Sequence, residues 1–520
     1  SEGVNARIAA IGGSDGYFKL SAATDIRQAN GSELVIGILR MGNDGYRTLE
    51  SAKRDQTFIA QTWRLPKGSV RVFLTAQKAA WDLPGSLDST TAAQDPRAAR
   101  PYSQLIDAHI EKSQLFVGLA QETRVWKDLM LRTSVQAQAV DKVNPYGTSP
   151  AFSGYKDEQL RGAGARLSLG STVGRGNIAF DWALGIEALL EKDLLNERAF
   201  ADGLPADVRT DADSRVGNMN AFVTTRTRIG AHTTLLAALG SERTGFHQID
   251  QLRYTETTDR MEPELYPLIG MERLLTPGVI FHLRYAESRS RPTIWEVLGS
   301  TGIPNTDLLP EQVHEAEAGF DIQKGKVSAG ITGYLRRTEG LILSRVVNNH
   351  TEEEFHNAGD AKQNGVEWTI GRIQELPGKH RLALSVEGAW QHHILHLPDT
   401  DPVDVPGVPR WTGGIRARLT TRWGTALEAG YLVNSSIPAS STNADHIAGH
   451  GVLQARLEQP VRWKKMDIRI FFLIENVLDA RYTDFIQLDD PAGRYYNPAP
   501  GRGYFGGISF VFDRGPEHPA

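Results

Sequence analysis

KMDIRIFFLIENVLDARY, residues 465–482, followed after a polar interval by GRGYFGGISFVF, residues 501–512, reads as two arms in which apolar and polar residues alternate with period two. In the first arm Ile468, Ile470, Phe472 and Ile474 fall on one face, and Asp467, Arg469 and Glu475 fall on the other. In the second, Ile508, Phe510 and Phe512 oppose Ser509 and the glycines. A strand with one apolar face and one wet face belongs to a sheet that meets two different solvents. In a chain of 520 residues, that pattern predicts an all-β transmembrane antiparallel barrel.

Composition is compatible with this. Apolar residues make up only 40%, but a barrel turns every second strand residue to lipid, so no run of about 18 apolar residues is expected and none is present. A net charge of −5 argues against a nucleic-acid partner. Cysteine is absent, in keeping with an oxidising compartment. The sequence begins at Ser1 with neither an initiator methionine nor an apolar leader, which reads as a processed or trimmed product.

Outward from the closing hairpin, period-two segments alternate between short joints and long polar connections. Short joints fall at residues 28–31, 65–68, 173–176, 230–232, 276–278, 324–326, 376–379 and 422–424. Long connections are read at 80–113, 193–217, 242–263, 288–310 and 484–500, with short helices inside 96–115 and 189–201. All short turns then share one rim, the periplasmic one, and the long loops share the extracellular rim. About 22 strands fit between Asn5 and Phe512, so residues 1–512 are the barrel, 513–520 a tail, and the last strand should pair with the first. Between Ile415, Ala417 and Leu419 lie Arg416 and Arg418, which would each cost roughly 2–4 kcal/mol at the bilayer midplane. They must therefore line a hydrated lumen.

Several segments resemble the barrel of TonB-dependent outer-membrane receptors, in particular the ferric-citrate-receptor-like branch. Glu475-Asn476-Val477-Leu478-Asp479-Ala480-Arg481-Tyr482 is similar to the family's E-N-L-x-[ND]-x-x-Y motif, and Pro500-Gly501-Arg502 leading to Phe510-Val511-Phe512 to its closing strand. Arg291 to Glu296 resembles F-R-A-P-x-x-x-E, and Asn305 to Glu311 resembles N-P-x-L-x-P-E. Asn357-Ala358-Gly359 with Gly365-Val366-Glu367, Val405 to Arg410, and the long loop from Trp81 to Arg100 continue the series in order.

The resemblance implies a non-enzymatic importer of a scarce ligand in the bacterial outer membrane, most simply a ferric siderophore. The implied partners are outer-membrane lipid, the small ligand, a plug domain in cis or in trans, and the inner-membrane TonB-type energy-transducing complex acting through the plug; no resident cofactor is implied. Neither plug nor energy-coupling box lies in this sequence, and the tail DRGPEHPA follows Phe512 where the family usually ends on an aromatic residue. A non-iron cofactor such as pyrroloquinoline quinone or cobalamin is an alternative cargo, and a plugless passive porin or structural barrel an alternative class. Haem-importing members place a histidine between the motifs that span Arg291 to Pro310; none occurs there, although His350, His356 and His446 lie on other outer loops.

Small chelates are held by aromatic faces and by arginines that fix carboxylates or phenolates bidentately. The candidates on the long-loop rim are Trp81, Tyr102, Tyr146, Tyr155, Arg253, Tyr254, Trp295, Arg494, Tyr495 and Tyr496, with Arg494-Tyr495-Tyr496 the leading cluster. The alternative for each is an interfacial girdle or loop packing. His392, His393 and His396, beside Asp399, Asp401 and Asp404, have the residue types of a transition-metal site, or of a solvated loop. No nucleophile elbow, phosphate-cradling loop or zinc-protease helix occurs, and Glu352-Glu353-Glu354 reads as a hydrated loop rather than an acid/base pair.

Overall fold

In the computed structural model the described residues are 3–150, 152–300, 302–347, 352–490 and 492–513, so residues 514–520 of the tail and His350 lie outside them. Strands from Gly3–Gly13 to Gly503–Asp513 pair antiparallel with their sequence neighbours and close into a barrel of 22 strands. The closing hairpin is the seam. Ile468, Ile470 and Met466 face Phe510, Ile508 and Phe512, and those residues in turn face Ile8, Ala10 and Ala6 of the first strand. Asn5 stands opposite Asp513, so the chain closes where its alternation predicts.

All eight predicted short joints lie on one rim, joined by Lys127-Asp128 and Lys464-Lys465, which the sequence reading passed over. Glycine is required at such places by geometry: Gly278 has φ +83°, and a Cβ there would run into the carbonyl of Gln323.

The outward face carries the two aromatic belts of a membrane barrel. Beside the short turns stand Trp63, Trp126, Trp423 and Trp463, all exposed. Lys127, Arg422 and Lys464 place their charges 4.9, 4.5 and 5.4 Å from the rings of Trp126, Trp423 and Trp463, the posture of a cation reaching for the polar interface. Toward the other rim Trp368, Trp390 and Trp411 cluster with centroids 6.3–6.4 Å apart. Between the belts, outward residues such as Ile415, Ala417 and Leu419 are apolar, as a band facing hydrocarbon requires.

Inward faces are charged and paired, as a wet lumen predicts. Arg418 reaches Glu428 at 2.9 Å and Glu458 at 3.9 Å, Arg456 reaches Glu458 at 3.2 Å, and Arg416 lies 3.8 Å from Glu428. Farther round the wall, Arg284 bridges Glu315 and Glu317 at 3.1 and 3.0 Å.

Two of the predicted long connections are corrected by the structure. Residues 193–217 and 242–263 are not loops but tall strands: Ile178–Ala201 and Leu204–Ile229 meet at Asp202-Gly203, and Thr233–Asp250 and Thr255–Thr276 meet at residues 251–254. Above the lipid band water bathes both faces, so apolar alternation fades while the backbone ladder continues. The predicted helix within 189–201 is strand for the same reason, and within 96–115 only Pro101–Leu105 is helical, with strand resuming at His109. Glu352-Glu353-Glu354 likewise opens the strand Glu352–Leu376. True loops remain at 83–108, 291–310 and 476–502.

Candidate ligand-binding site

Loop 291–310 builds the site from its sequence. Thr293 caps the short helix Ile294–Leu298: its hydroxyl accepts from the Glu296 amide at 3.2 Å while the Glu296 carboxylate accepts from the Thr293 amide at 2.7 Å, a reciprocal capping box. Val297 and Leu298, with Leu308, bury themselves against Phe246 of the barrel wall. Two asparagines of the family-like motifs tie the loop down. Asn305 donates to the Phe355 carbonyl at 2.9 Å, and Asn357 accepts from the Leu309 amide at 2.8 Å and donates to its carbonyl at 2.9 Å.

So anchored, the loop presents Trp295 to a cavity of about 860 Å³, a volume typical of small-molecule sites. Tyr146, Phe152 and Phe355 supply further aromatic wall, and Arg209, Arg253, Glu197, Glu296 and Glu354 supply charge. The Lys156 ammonium lies 3.7 Å from the Trp295 ring centroid and 4.8 Å from that of Tyr146, and 3.7 Å from Glu197. Tyr146 donates to Glu197 at 2.6 Å; Arg209 donates to the Ser153 carbonyl at 2.7 Å; Arg253 pairs with Asp250 at 2.6 Å. Tyr102 adjoins this group through a 3.1 Å hydrogen bond between its hydroxyl and that of Ser153.

Of the predicted residues, then, Tyr102, Tyr146, Arg253 and Trp295 converge. The others are placed apart from them. Tyr254, at a strand tip with φ +54°, is 91% exposed. Trp81 is the penultimate residue of the strand Gly68–Asp82. Arg494 is held by Asp490 at 2.9 and 3.1 Å, Tyr496 pairs its backbone with Leu87, and Tyr495 packs on Ala439 and Ile447 with its hydroxyl donated to Asp445 at 3.0 Å. Burial and the Asp445 carboxylate push the Tyr495 phenol up to about 12. The leading cluster therefore braces loop 476–502.

Strand alternation separates the three histidines. His392 stacks on Trp390 at 6.3 Å, whereas His393, on the opposite face, meets the Tyr334 hydroxyl at 2.9 Å. His396 shares a face with His392 but lies about 13 Å farther along an extended strand. No group of three or more His, Asp or Glu placed to hold a metal occurs among the described residues.

Sequence reading missed Lys156, Glu197, Arg209 and Phe355. Glu197 and Arg209 sat in a stretch read as loop, where no face could be assigned. The motif residues also prove architectural: Asn476, 2% exposed with φ +49°, closes its turn by accepting from the Ala480 amide and donating to the Ala480 carbonyl, both at 2.8 Å. Beside it, Asp479 accepts from the Arg502 amide at 2.8 Å.

A closed barrel with outward tryptophans at both ends, a charged lumen and a cavity at its long-loop rim is the architecture of a bacterial outer-membrane barrel. The chain belongs to the family described as TonB dependent receptor-like, β-barrel, whose sequence model matches residues 58–477. Among solved structures it is similar to the unliganded ferric citrate transporter FecA, with 14% identity, a TM-score of 0.84, and coverage of 98% of this chain and 79% of that one. The siderophore receptor PiuA from Acinetobacter baumannii matches at 14% identity and a TM-score of 0.77, covering 98% and 82%. The copper transporter OprC matches at 16% identity and 0.78, covering 98% and 80%.

Proposed function

We propose that this barrel imports a small metal chelate, a ferric siderophore being the cargo that suits its site, and that the cargo docks in the cavity under loop 291–310. One observation carries the reading: Trp295, Tyr146 and Phe355 offer flat apolar surface in the same cavity as Arg209 and Arg253, with Lys156 against the Trp295 ring. Aromatic faces and guanidinium groups together fit a chelate with apolar rings or arms and anionic carboxylate or phenolate donors. Passage through the lumen follows when a plug, in cis or in trans, is moved by the inner-membrane energy-transducing complex. Because FecA, PiuA and OprC share the fold, the fold does not choose the metal or its carrier; the rim residues do.

The test compares growth of the producing bacterium on single ferric chelates with and without the gene, and with Trp295→Ala. A chelate that supports growth only with the intact gene, and poorly with the variant, is the cargo; no difference for any ferric chelate overturns the siderophore reading.

A further inference from the structure

The inner wall is divided by charge, and one side of it is built as a ladder. Ile59, Leu74 and Val117 pair across the outer wall, so their sequence neighbours on strands Ala52–Leu65, Gly68–Asp82 and His109–Trp126 point into the lumen. Nearest the long loops, the inward row on these strands carries Arg54 and Lys112. Directly below it, Gln56, Gln77 and Gln114 stand in register. Two rows of phenylalanine follow. Phe58 and Phe116 share one row and Phe73 holds the next, its ring 5.5 Å from that of Phe116 and covering Gly118, where a Cβ would run into it. Arg71 and then Arg64 end the ladder toward the short turns. From Arg54 to the row of Arg71 is about 27 Å along the strands, and no carboxylate on these strands points inward between them.

The top row continues on both sides. Lys19 stands opposite Met41, which stands opposite Arg54, and Lys112 faces Lys142 directly. Like charges directly opposite one another destabilise a sheet, so this row favours an anion beside it. Lys142 is held by Glu158 at 2.5 Å, but Lys19, Arg54, Arg64, Arg71 and Lys112 make no ion pair among the described residues. The row also meets the cavity under loop 291–310: Tyr146 lies two inward steps above Lys142 on the same strand, and Lys156 faces Asn144 between them.

Half-way round the barrel the sign is reversed. A recess of about 750 Å³ is lined by Asp321, Glu367, Glu387 and Asp484, and Glu367 and Glu387 have no cationic partner among the described residues. An anion in the lumen is thus drawn to one wall and repelled from the other.

We infer that the wall from Lys19 to Lys142 is an anion track, selective for multiply charged anionic solutes that carry flat apolar groups. The solute leaves the cavity at Lys142 and Lys112, passes the amide and phenylalanine rows, and reaches Arg71 and Arg64 at the short-turn end. Cations at both ends favour entry and exit, and the uncharged rows between them hold too weakly to trap, as conduction requires. As a route for cargo the track rests on the anionic chelate proposed above; its preference for anions does not.

That preference is measured on this chain in planar bilayers. Benzene-1,3,5-tricarboxylate, added on the long-loop side, should reduce the open-barrel current saturably, and less so at high salt. The concentration for half block should rise about tenfold in Arg54→Gln/Lys112→Gln and stay unchanged in Arg416→Gln/Arg418→Gln, which removes the same charge from the far wall. Heat-modifiable gel mobility reports the folded barrel, and Lys112→Gln, which relieves the repulsion with Lys142, carries the test if the double variant does not fold. Absence of block, an unchanged half-block concentration in the folded track variant, or an equal rise in the far-wall variant would each overturn the track while leaving the Trp295 cavity standing. Loss of the Trp295 dependence in the growth test would overturn the cavity and leave the block.

Discussion

The ammonium of Lys156 sits 3.7 Å from the centre of the Trp295 ring, joining a barrel strand to loop 291–310. Both side chains are partly withdrawn from water, where a cation–π contact is worth about 1–2 kcal/mol. Lys156→Met should therefore loosen the loop while leaving the barrel closed. Limited proteolysis should cut within 291–310 faster, and chelate binding should weaken about tenfold, with unheated gel mobility unchanged. Equal proteolysis of the two proteins would show that Val297, Leu298 and Leu308 hold the loop by themselves.

Arg47 fastens the opposite side of the same rim. Its guanidinium, 3% exposed, donates to the carbonyls of Ala98 at 3.1 and 2.8 Å and Gly85 at 2.6 Å and to Asn497 at 3.0 Å, so one side chain ties loops 83–108 and 476–502 together. Burial draws its pKa below the ordinary arginine value, yet it stays charged. Arg47→Lys cannot reproduce the planar fork. It should free loop 83–108 to proteolysis at a cost of about 1.5–3 kcal/mol, with Arg47→Ala no milder.

The barrel was legible wherever one face met lipid. Ile468 to Ile474 and Ile415 to Leu419 alternate because hydrocarbon and water lie on opposite sides of them, and the seam between Phe512 and Ala6 followed from the even strand count. Legibility ended at Lys192, where the outward row turns charged and both faces are wet; residues 193–217 read as loop although the strands continue on either side of Asp202-Gly203. The site was half legible for a related reason. Trp295 and Tyr146 stand out as aromatic residues near loops, but nothing in a single sequence says that Lys156 and Arg209, on separate strands, arrive beside them. Arg494 and Tyr495 have the right chemistry for a ligand, and the fold spends it on Asp490 and Asp445.

Facing is testable residue by residue. Leu457, which lies opposite Leu427 on the outer wall, should tolerate arginine poorly, Leu457→Arg costing about 2–4 kcal/mol at mid-membrane. Gln454 lies on the inner wall opposite Gly430, in line with Glu428 and Arg456, and Gln454→Arg should change stability by less than about 0.5 kcal/mol. Urea unfolding of barrels in phosphatidylcholine vesicles measures both; similar losses for the two would contradict the wet lumen.

Tyr495 gives loop 476–502 a dependence on alkaline pH. Its phenol, buried against Ala439 and Ile447 and donated to Asp445, titrates near 12 rather than 10. A folded-state pKa above the unfolded one means that the protonated phenol favours the folded loop. The stabilisation is complete below pH 10 and is lost as pH climbs from 10 toward 12. Absorbance at the phenolate band should lose one late-ionising tyrosine's worth of its rise near pH 12 in Tyr495→Phe. In the same window proteolysis of loop 476–502 should accelerate in the parent protein and stay flat in Tyr495→Phe, whose loop lacks the Asp445 bond at every pH. A phenolate titration unaltered by Tyr495→Phe would place the late-ionising group elsewhere.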